Sequence, residues 1–206
     1  MNYFVTAIDT DSGKTMVSAI LCEAWNADYW KPIQAGLPKD SDTVQSLISN
    51  TASRFHPERY LLKTPASPHA AAKFDRVDIK LTDFILPQTT NTLVVEGAGG
   101  CLVPINDQNF IIDLVTRLKT EIILVADLYL GSINHTLLTI EAIQKRKLPV
   151  CGIVFNGEPN PESERIILQH SGLRCLLNIT KEVTIDKWVI RKYAQHLNHH
   201  WNDLPS

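Results

Sequence analysis

The chain has 206 residues, 44% of them apolar, and a formal net charge of −2 at pH 7. This length and apolar content predict one or at most two globular domains with an adequate core, and they argue against disorder. Because Lys and Arg are not in excess over Asp and Glu, a protein that tracks nucleic-acid phosphates is not expected. The four cysteines are widely spaced and form no CxxC pair, which favours buried thiols in a reducing compartment, and so the cytoplasm.

Short runs of β-branched and aliphatic residues recur along the chain and predict parallel strands buried on both faces. These runs are residues 3–8, 27–33, 92–97, 121–127, 149–156 and 173–179. The first of them is too short for a signal peptide or a membrane span, so we predict no association with a membrane.

Segments with helical spacing lie between most of these strands. They are residues 14–25, 109–118, 132–146, 161–171 and 186–201, and the third places Ile133, Leu137, Ile140 and Ile143 on one stripe. The alternation predicts a doubly wound α/β fold in one domain over residues 1–206, with a mainly parallel sheet flanked by helices. Residues 36–91 contain five prolines and are the least regular, so we expect substrate-facing loops there.

Ligands of open α/β sheets bind beyond the carboxyl ends of the strands, and the segment after the first strand ends in Gly13-Lys14-Thr15. A strand that turns through small polar residues into a helix aims backbone N–H groups and the helix dipole at an anion. Lys14 would contact the β- and γ-phosphates of a nucleotide, and the Thr15 hydroxyl would bind Mg²⁺. An ordinary capped turn is the alternative, because the usual loop has glycine at position 8 and this chain has Ile8.

Two further strands end in residues suited to the same site. Glu96 is a candidate Mg²⁺ ligand, and the glycine-rich residues 97–100 allow a phosphate to approach the backbone, although a tight turn is the alternative. Lys31 ends a buried strand, where an unpaired ammonium is costly. It requires an anion, which is either a substrate phosphoryl or carboxylate group or a structural ion-pair partner.

Two helix starts could also bind ions. Asp42 caps or enters a helix near Lys31, and a role at a metal depends on its loop folding back. Residues 130–135, "LGSINH", start another helix and form either an anion site or a simple cap. His135 in this segment is interpreted as structural.

These segments, taken in order, resemble the ATP-dependent dethiobiotin synthetases, the carboxylases of biotin synthesis. That family has a loop GxxxxxGKT, one residue longer than the usual loop, so the absence of glycine at position 8 is expected. This chain departs from the family at Ala7 and Ile8. The other matching segments are "YWKPIQAG", "DSDTVQSL", "PASPHAAA", "VVEGAGGCLVPI" and "LGSINHTLLTIEAI".

The resemblance implies a P-loop NTPase-like fold and a set of site residues. ATP would be bound by Asp11, Ser12, Gly13, Lys14, Thr15, Met16, Asp42, Glu96, Gly97, Ala98, Gly99 and Asn156, the last at the adenine. Mg²⁺ would be held by Thr15, Asp42 and Glu96. The catalytic residues would be Lys31, Lys14 and Thr10, and substrate would contact Thr10, Lys31, Ala35, Gly131, Ser132, Ile133 and Asn134.

The reaction that the resemblance implies starts when 7,8-diaminononanoate takes up CO2 as a carbamate on one amine. ATP then phosphorylates the carbamate, and attack by the second amine closes the ring of dethiobiotin and releases phosphate. The family also implies a homodimer whose active site lies at the interface, with residues 131–134 of the partner subunit holding the substrate carboxylate. Residues 177–182, "LNITKE", replace the family's Gly-x-[IL]-Pro near the adenine and leave the nucleotide preference open.

Two alternatives to this function stay open. A P-loop switch ATPase of the partitioning type usually carries an additional lysine near the start of the loop, and no lysine lies between Met1 and Gly13. A degenerate, non-catalytic homologue would account for Ala7, Ala35 and the altered adenine segment. An amide-forming ligase of the cobyrinate type usually has a glutaminase domain, for which 206 residues leave no room.

Overall fold

A parallel seven-stranded sheet forms the centre of the protein in a computed structural model, which describes residues 1–202. The strands of this sheet and of a second, two-stranded sheet are β1 Asn2–Ala7, β2 Asp28–Trp30, β3 Ile33–Ala35, β4 Phe55–His56, β5 Tyr60–Leu62, β6 Leu93–Gly100, β7 Glu121–Leu128, β8 Val150–Gly157 and β9 Cys175–Ile179. The large sheet has the order β4-β2-β6-β1-β7-β8-β9, and β3 pairs with β5. The predicted mainly parallel α/β architecture is confirmed.

Helices cover both faces of the large sheet. They are α1 Lys14–Trp25, α2 Asp40–Leu47, α3 Pro68–Asp75, α4 Asp113–Leu118, α5 Ser132–Lys145, α6 Pro161–Ser171 and α7 Lys187–Asn202, and a 3₁₀ turn spans Leu81–Asp83. Side chains of β1 alternate between two buried clusters, because successive residues of a strand point to opposite faces. Val5 packs with residues of α1 and α7, whereas Phe4 packs with residues of α4, α5 and α6. Among the helices of residues 1–202, none has both the length and the apolar character of a membrane span.

The predicted second strand, residues 27–33, is divided in two by Pro32. Trp30 pairs with Val95 of β6, but the chain then leaves the large sheet, and Ile33 pairs with Tyr60 of β5. Proline has no N–H group and cannot donate to a ladder, so pairing with β6 ends there. Lys31 therefore lies at the break, beside the carboxyl end of β6.

The predicted helix over 109–118 was too long at its start. Residues 109–112 lie against a preceding loop, where Ile111 N donates to Val103 O at 2.9 Å and Ile112 N donates to Cys101 O at 3.0 Å. These hydrogen bonds use N–H groups that a helix would direct elsewhere, so α4 begins only at Asp113. The stripe predicted for α5 is also rotated, since Ile140 and Ile143 are buried but Ile133 and Leu137 are only half-buried.

Residues 36–91 contain more regular structure than predicted, namely α2, α3, two short strands and the 3₁₀ turn. Each element is short, so its own periodicity gives little signal. The buried carboxylate of Asp28, at the start of β2, holds part of this region. It accepts hydrogen bonds from Asn91 Nδ2 at 2.9 Å and Arg54 N at 3.0 Å, and it contacts His56 Nε2 at 3.1 Å.

These contacts make the stability of the fold dependent on pH. Burial would raise the pKa of Asp28, but hydrogen bonds from Asn91 and other donors outweigh burial and lower the pKa below its ordinary value. The carboxylate therefore stabilises the fold above the unfolded pKa of about 3.9, and this contribution is lost as the pH falls through the lower folded pKa. We expect Asp28→Asn to lower the free energy of unfolding by about 1–3 kcal/mol at pH 7.

Denaturant unfolding from pH 7 to pH 3 measures this effect. The difference in unfolding free energy between wild type and Asp28→Asn should narrow below about pH 4. The exposed Asp107 provides a matched control, and Asp107→Asn should follow wild type throughout. A difference for Asp28→Asn that stays constant down to pH 3 would contradict the assignment.

Candidate active site

The loop between β1 and α1 has the geometry of an anion site. Gly13 is the N-cap of α1 with φ +97°, and Lys14 starts the helix. Residues of this loop line a cavity of about 990 Å³ at the carboxyl edge of the sheet. The free N–H groups and the positive dipole end of α1 thus lie where a phosphate would enter.

The cavity brings together most of the predicted site residues. Those that line it are Thr10, Asp11, Gly13, Lys14, Thr15, Met16, Lys31, Ala35, Glu96, Ala98 and Gly99. They come from the ends of four strands, β1, β2, β3 and β6, and from the start of α1, so the sheet topology is what assembles them. Part of residues 36–91 also lines the cavity, including Gly36, Pro38, Pro65 and Pro68. These residues therefore face the cavity, and their contact with a substrate stays a prediction.

Glu96 is the centre of the polar network. One of its carboxylate oxygens, Oε1, accepts from Thr15 Oγ1 at 3.0 Å and from Lys31 Nζ at 2.9 Å. The other, Oε2, accepts from the hydroxyl of Tyr29 at 3.0 Å. Burial would raise the pKa of Glu96, but the charge of Lys31, its hydrogen bond to the carboxylate and the charge of Lys14 together outweigh burial and lower the pKa. The carboxylate is therefore ionised at neutral pH.

Lys31 is buried between two carboxylates. Its ammonium pairs with Asp40 as well as Glu96, and it donates to Gly97 O at 3.3 Å. Burial would lower the pKa of Lys31, but the charges of Glu96 and Asp40 raise it above its ordinary value. Lys31 has structural ion-pair partners and also lines the cavity. The structure is thus compatible with both interpretations of Lys31, a structural ion pair and contact with a substrate anion.

Lys14 differs from Lys31 in its surroundings. Its ammonium donates to the backbone carbonyl of Asp9 at 3.1 Å, within its own loop. Burial, followed by the charge of Lys31, lowers the pKa of Lys14. Unlike Lys31, Lys14 forms no ion pair among residues 1–202, so an anion such as a triphosphate would supply its counter-charge.

Asp42 and Asp40 lie in the first turn of α2, but only Asp40 lines the cavity. Asp42 is exposed, and it enters the helix without capping it, because Lys39 is the N-cap. The structure therefore does not bring Asp42 to Thr15 and Glu96, and its predicted role at Mg²⁺ stays a prediction.

Three other residues predicted to contact ATP do not line the cavity, namely Ser12, Gly97 and Asn156. Asn156 Nδ2 donates to the carbonyl of Ser12 at 2.9 Å and so holds the phosphate loop from β8. Gly97 offers its carbonyl to Lys31. These residues thus hold the phosphate loop and Lys31 in place through hydrogen bonds. Direct contact with a nucleotide stays a prediction for each of them.

The segment at the start of α5 lies apart from this cavity. Gly131 is the N-cap of α5, and Ser132, Ile133 and Asn134 form its first turn. The Ser132 hydroxyl is buried and has no hydrogen-bond partner among the described residues. His135 Nδ1 contacts the hydroxyl of Tyr129, which agrees with its interpretation as structural.

The oxygen donors of the cavity fit Mg²⁺. Among residues 1–202, no group of three His, Cys, Asp or Glu side chains could hold a metal alone. Mg²⁺, however, usually binds proteins through one or two carboxylates together with phosphate and water oxygens. The Thr15 hydroxyl and the Glu96 carboxylate, 3.0 Å apart, provide such donors.

Sequence reasoning missed three polar residues of the site. Asp40 was overlooked in favour of Asp42, and Gln34 accepts from Asp40 N through Oε1 at 3.1 Å. Tyr29 was missed although it lies two residues before Lys31, a spacing that places both side chains on one side of an extended chain. That periodicity was the available signal.

Comparisons with known proteins relate this site to a family. The family model of an AAA domain matches residues 1–187. The ATP-dependent dethiobiotin synthetase of Cytophaga hutchinsonii is 54% identical over 201 residues, which is 97% of this chain and 98% of that protein. The enzyme of the same name from Christiangramia forsetii is 44% identical, over 94% of each chain.

Solved structures support the fold. A ParA family ATPase from Chlorobium tepidum superimposes with a TM-score of 0.57 at 12% identity, covering 95% of this chain and 99% of that one. The septum site-determining protein MinD from Pyrococcus horikoshii gives 0.55 at 12% identity, covering 98% of each. At such identities the likeness concerns the fold alone. The extent and identity of the two sequence relatives place this chain in the family of ATP-dependent dethiobiotin synthetases.

Proposed function

We propose that this protein is a Mg²⁺-dependent dethiobiotin synthase that uses ATP and CO2 to convert 7,8-diaminononanoate into dethiobiotin, ADP and phosphate. The observation that carries the proposal is that Lys14, Thr15, Lys31 and Glu96 line the same cavity. Family membership supplies the reaction, and the cavity supplies groups that suit it. As proposed, residues 1–206 act as one domain, of which residues 203–206 lie outside the described part.

The proposed roles at the triphosphate follow from position. The backbone N–H groups of residues 11–16 and the ammonium of Lys14 bind the phosphates at the N-terminus of α1. Thr15 and Glu96 hold Mg²⁺, and Asp42 joins them only if α2 shifts relative to its position here. When bound, Mg²⁺ neutralises charge on the phosphate oxygens. Asn156 fixes the loop through Ser12 and is proposed to contact the adenine.

The proposed roles at the substrate involve positioning and charge. Lys31 lies beside both Glu96 and the cavity, so its ammonium binds the carbamate and the γ-phosphate and neutralises charge as the phosphoryl group moves. Thr10 and the backbone at Ala35 line the same cavity and seat the diamine. Since a phosphorylated carbamate is already reactive, holding the second amine close to it supplies much of the remaining acceleration.

The substrate carboxylate is proposed to bind a second copy of the chain. Residues 131–134 lie outside the cavity of their own chain, and the Ser132 hydroxyl is unpaired among the described residues. The side chains of Tyr129, Leu130 and Leu138 around this helix start are exposed. A homodimer would bury them and bring the start of α5 to the partner's cavity. Sedimentation of the purified protein at the mass of a monomer, with and without ligands, would contradict this arrangement.

We place the protein in the cytoplasm. Cys22, Cys101 and Cys151 are buried free thiols and Cys175 is a half-buried one, as is typical of a reducing compartment.

An assay of product formation tests the proposed function. Purified protein supplied with 7,8-diaminononanoate, bicarbonate and MgATP should produce ADP and dethiobiotin in equal amounts. Omission of the diamine should abolish ADP formation. ATP turnover that does not respond to the diamine would instead indicate a switch ATPase, and the lack of Mg²⁺-dependent ATP binding would indicate a non-catalytic homologue.

A further inference from the structure

The side chain of Tyr29, which is buried and does not line the cavity, contacts the active-site carboxylate of Glu96. Register along the sheet pairs Tyr29 with Val94 and Trp30 with Val95, so the next residue of each strand brings Lys31 beside Glu96. Tyr29 lies in β2 and Lys31 directly follows that strand, and their spacing of two residues places both side chains on one side of the extended chain. Glu96 is therefore contacted by two side chains from this segment, through different oxygens.

The two oxygens of Glu96 have separate partners. Oε2 accepts from the Tyr29 hydroxyl at 3.0 Å, whereas Oε1 accepts from Thr15 Oγ1 and Lys31 Nζ. The torsion about the carboxylate is thus fixed by Tyr29 on one side. Oε1 is kept beside the Thr15 hydroxyl, where the proposed metal would bind.

Tyr29 itself does not reach a ligand. Its side chain is fully buried, and it does not line the cavity. Its ring packs against Phe55, with ring centroids 5.7 Å apart, and belongs to the cluster beneath α1 and α7. Because the ring is fixed by packing, its hydroxyl is a rigid donor, and any effect on the reaction must pass through Glu96.

We propose that Tyr29 is a positioning residue whose hydroxyl orients Glu96 for Mg²⁺ binding together with Thr15. The inference rests on the proposed function, since it assumes that Glu96 and Thr15 hold the metal. Side chains that orient metal ligands usually change metal affinity about 10–100-fold when they are removed. Tyr29→Phe keeps the ring and its packing and removes only the hydroxyl.

Calorimetric titration with ADP, in Mg²⁺ and separately in EDTA, tests this role. For Tyr29→Phe we expect the ADP affinity in EDTA to stay within about twofold of wild type, while the gain in affinity on adding Mg²⁺ shrinks about 10–100-fold. An unchanged gain would overturn the proposal. So would an equal loss of affinity in both conditions, because a purely structural effect would not depend on the metal.

Tyr60→Phe is a matched control. The Tyr60 hydroxyl also donates to a carboxylate, that of Asp83 at 2.5 Å, but Asp83, unlike Glu96, does not line the cavity. This variant should leave both ADP affinities unchanged. A matching loss of the Mg²⁺ gain in Tyr60→Phe would overturn the specific role of Tyr29.

A double-mutant cycle with Glu96→Gln adds an independent test. If Tyr29 acts through Glu96, adding Tyr29→Phe to Glu96→Gln should cause no further loss in the gain of ADP affinity that Mg²⁺ provides. If the two residues acted independently, the fold-losses of the single variants would multiply in the double variant, and that result would overturn the proposal. If Mg²⁺ does not raise the ADP affinity of wild type, the proposed metal role of Glu96 is wrong, and the positioning role of Tyr29 is wrong with it. Dethiobiotin formation by wild type tests the enzyme activity separately.

Discussion

Lys31→Gln is expected to lower the turnover number for dethiobiotin formation by about 10²–10³-fold, while the affinity for MgADP changes much less. Removal of one preorganised group that stabilises transition-state charge usually has an effect of this size. Lys31 is placed for this role because its ammonium is buried at the cavity wall and its raised pKa keeps it charged. Lys14 remains to bind the phosphates, so nucleotide binding should persist. Steady-state kinetics and calorimetry measure the two quantities.

The same variant should also be less stable. Without Lys31, the buried carboxylate of Glu96 and the neighbouring Asp40 lose their shared counter-ion, and breaking a buried ion pair in this way typically costs about 3–5 kcal/mol. The melting temperature of the variant should therefore be measured by thermal unfolding, and the kinetics must be recorded below that temperature.

Lys39→Gln is a control for the loss of a lysine. Lys39 also pairs with a glutamate, Glu58, at 3.1 Å, but it does not line the cavity. Its removal should leave turnover close to that of wild type. If Lys31→Gln behaved like Lys39→Gln, with a normal rate, the Lys31 ion pairs would be purely structural and its catalytic role would be wrong.

The parts of the fold that could be predicted are those that depend on long local patterns. The strands β1, β7 and β8 are mostly apolar runs, and α1, α6 and α7 extend over several turns between such runs, so the sequence locates them although the apolar stripes of α1 and α7 are less clear. Residues 36–91 could not be predicted in the same way. Their elements are short and depend on tertiary contacts, such as those that Asp28 makes with Arg54 and Asn91.

The sequence could not predict which side chains of the site face the cavity. The sequence places Asp40 and Asp42 in one turn of α2, but their side chains lie about 200° apart around the helix, so only one can face the cavity. Which one does is decided by the packing of α2 and not by the motif. Tyr29 was similarly undetected because its importance comes from a contact with Glu96, 67 residues away in the sequence.

Gly13→Ala is expected to lower the free energy of unfolding by about 1–3 kcal/mol, because Gly13 has φ +97°, a conformation that side chains with Cβ rarely adopt. An added Cβ would also overlap the side-chain amide of Asn156, which holds the loop through Ser12. The loop must then change shape at the start of α1. Since each 1.4 kcal/mol corresponds to a tenfold change in affinity, nucleotide binding should weaken by up to about 100-fold.

Two further variants separate backbone strain from side-chain overlap at this position. Gly172 also has a positive φ, +68°, but no atom lies within 4 Å of a Cβ added there, so Gly172→Ala should show strain alone and leave nucleotide affinity unchanged. Adding Asn156→Ala to Gly13→Ala removes the overlap and leaves the strain. Recovery of stability in that double variant would show that the Asn156 contact makes glycine necessary, whereas wild-type nucleotide affinity in Gly13→Ala would contradict the role of this loop as the phosphate site.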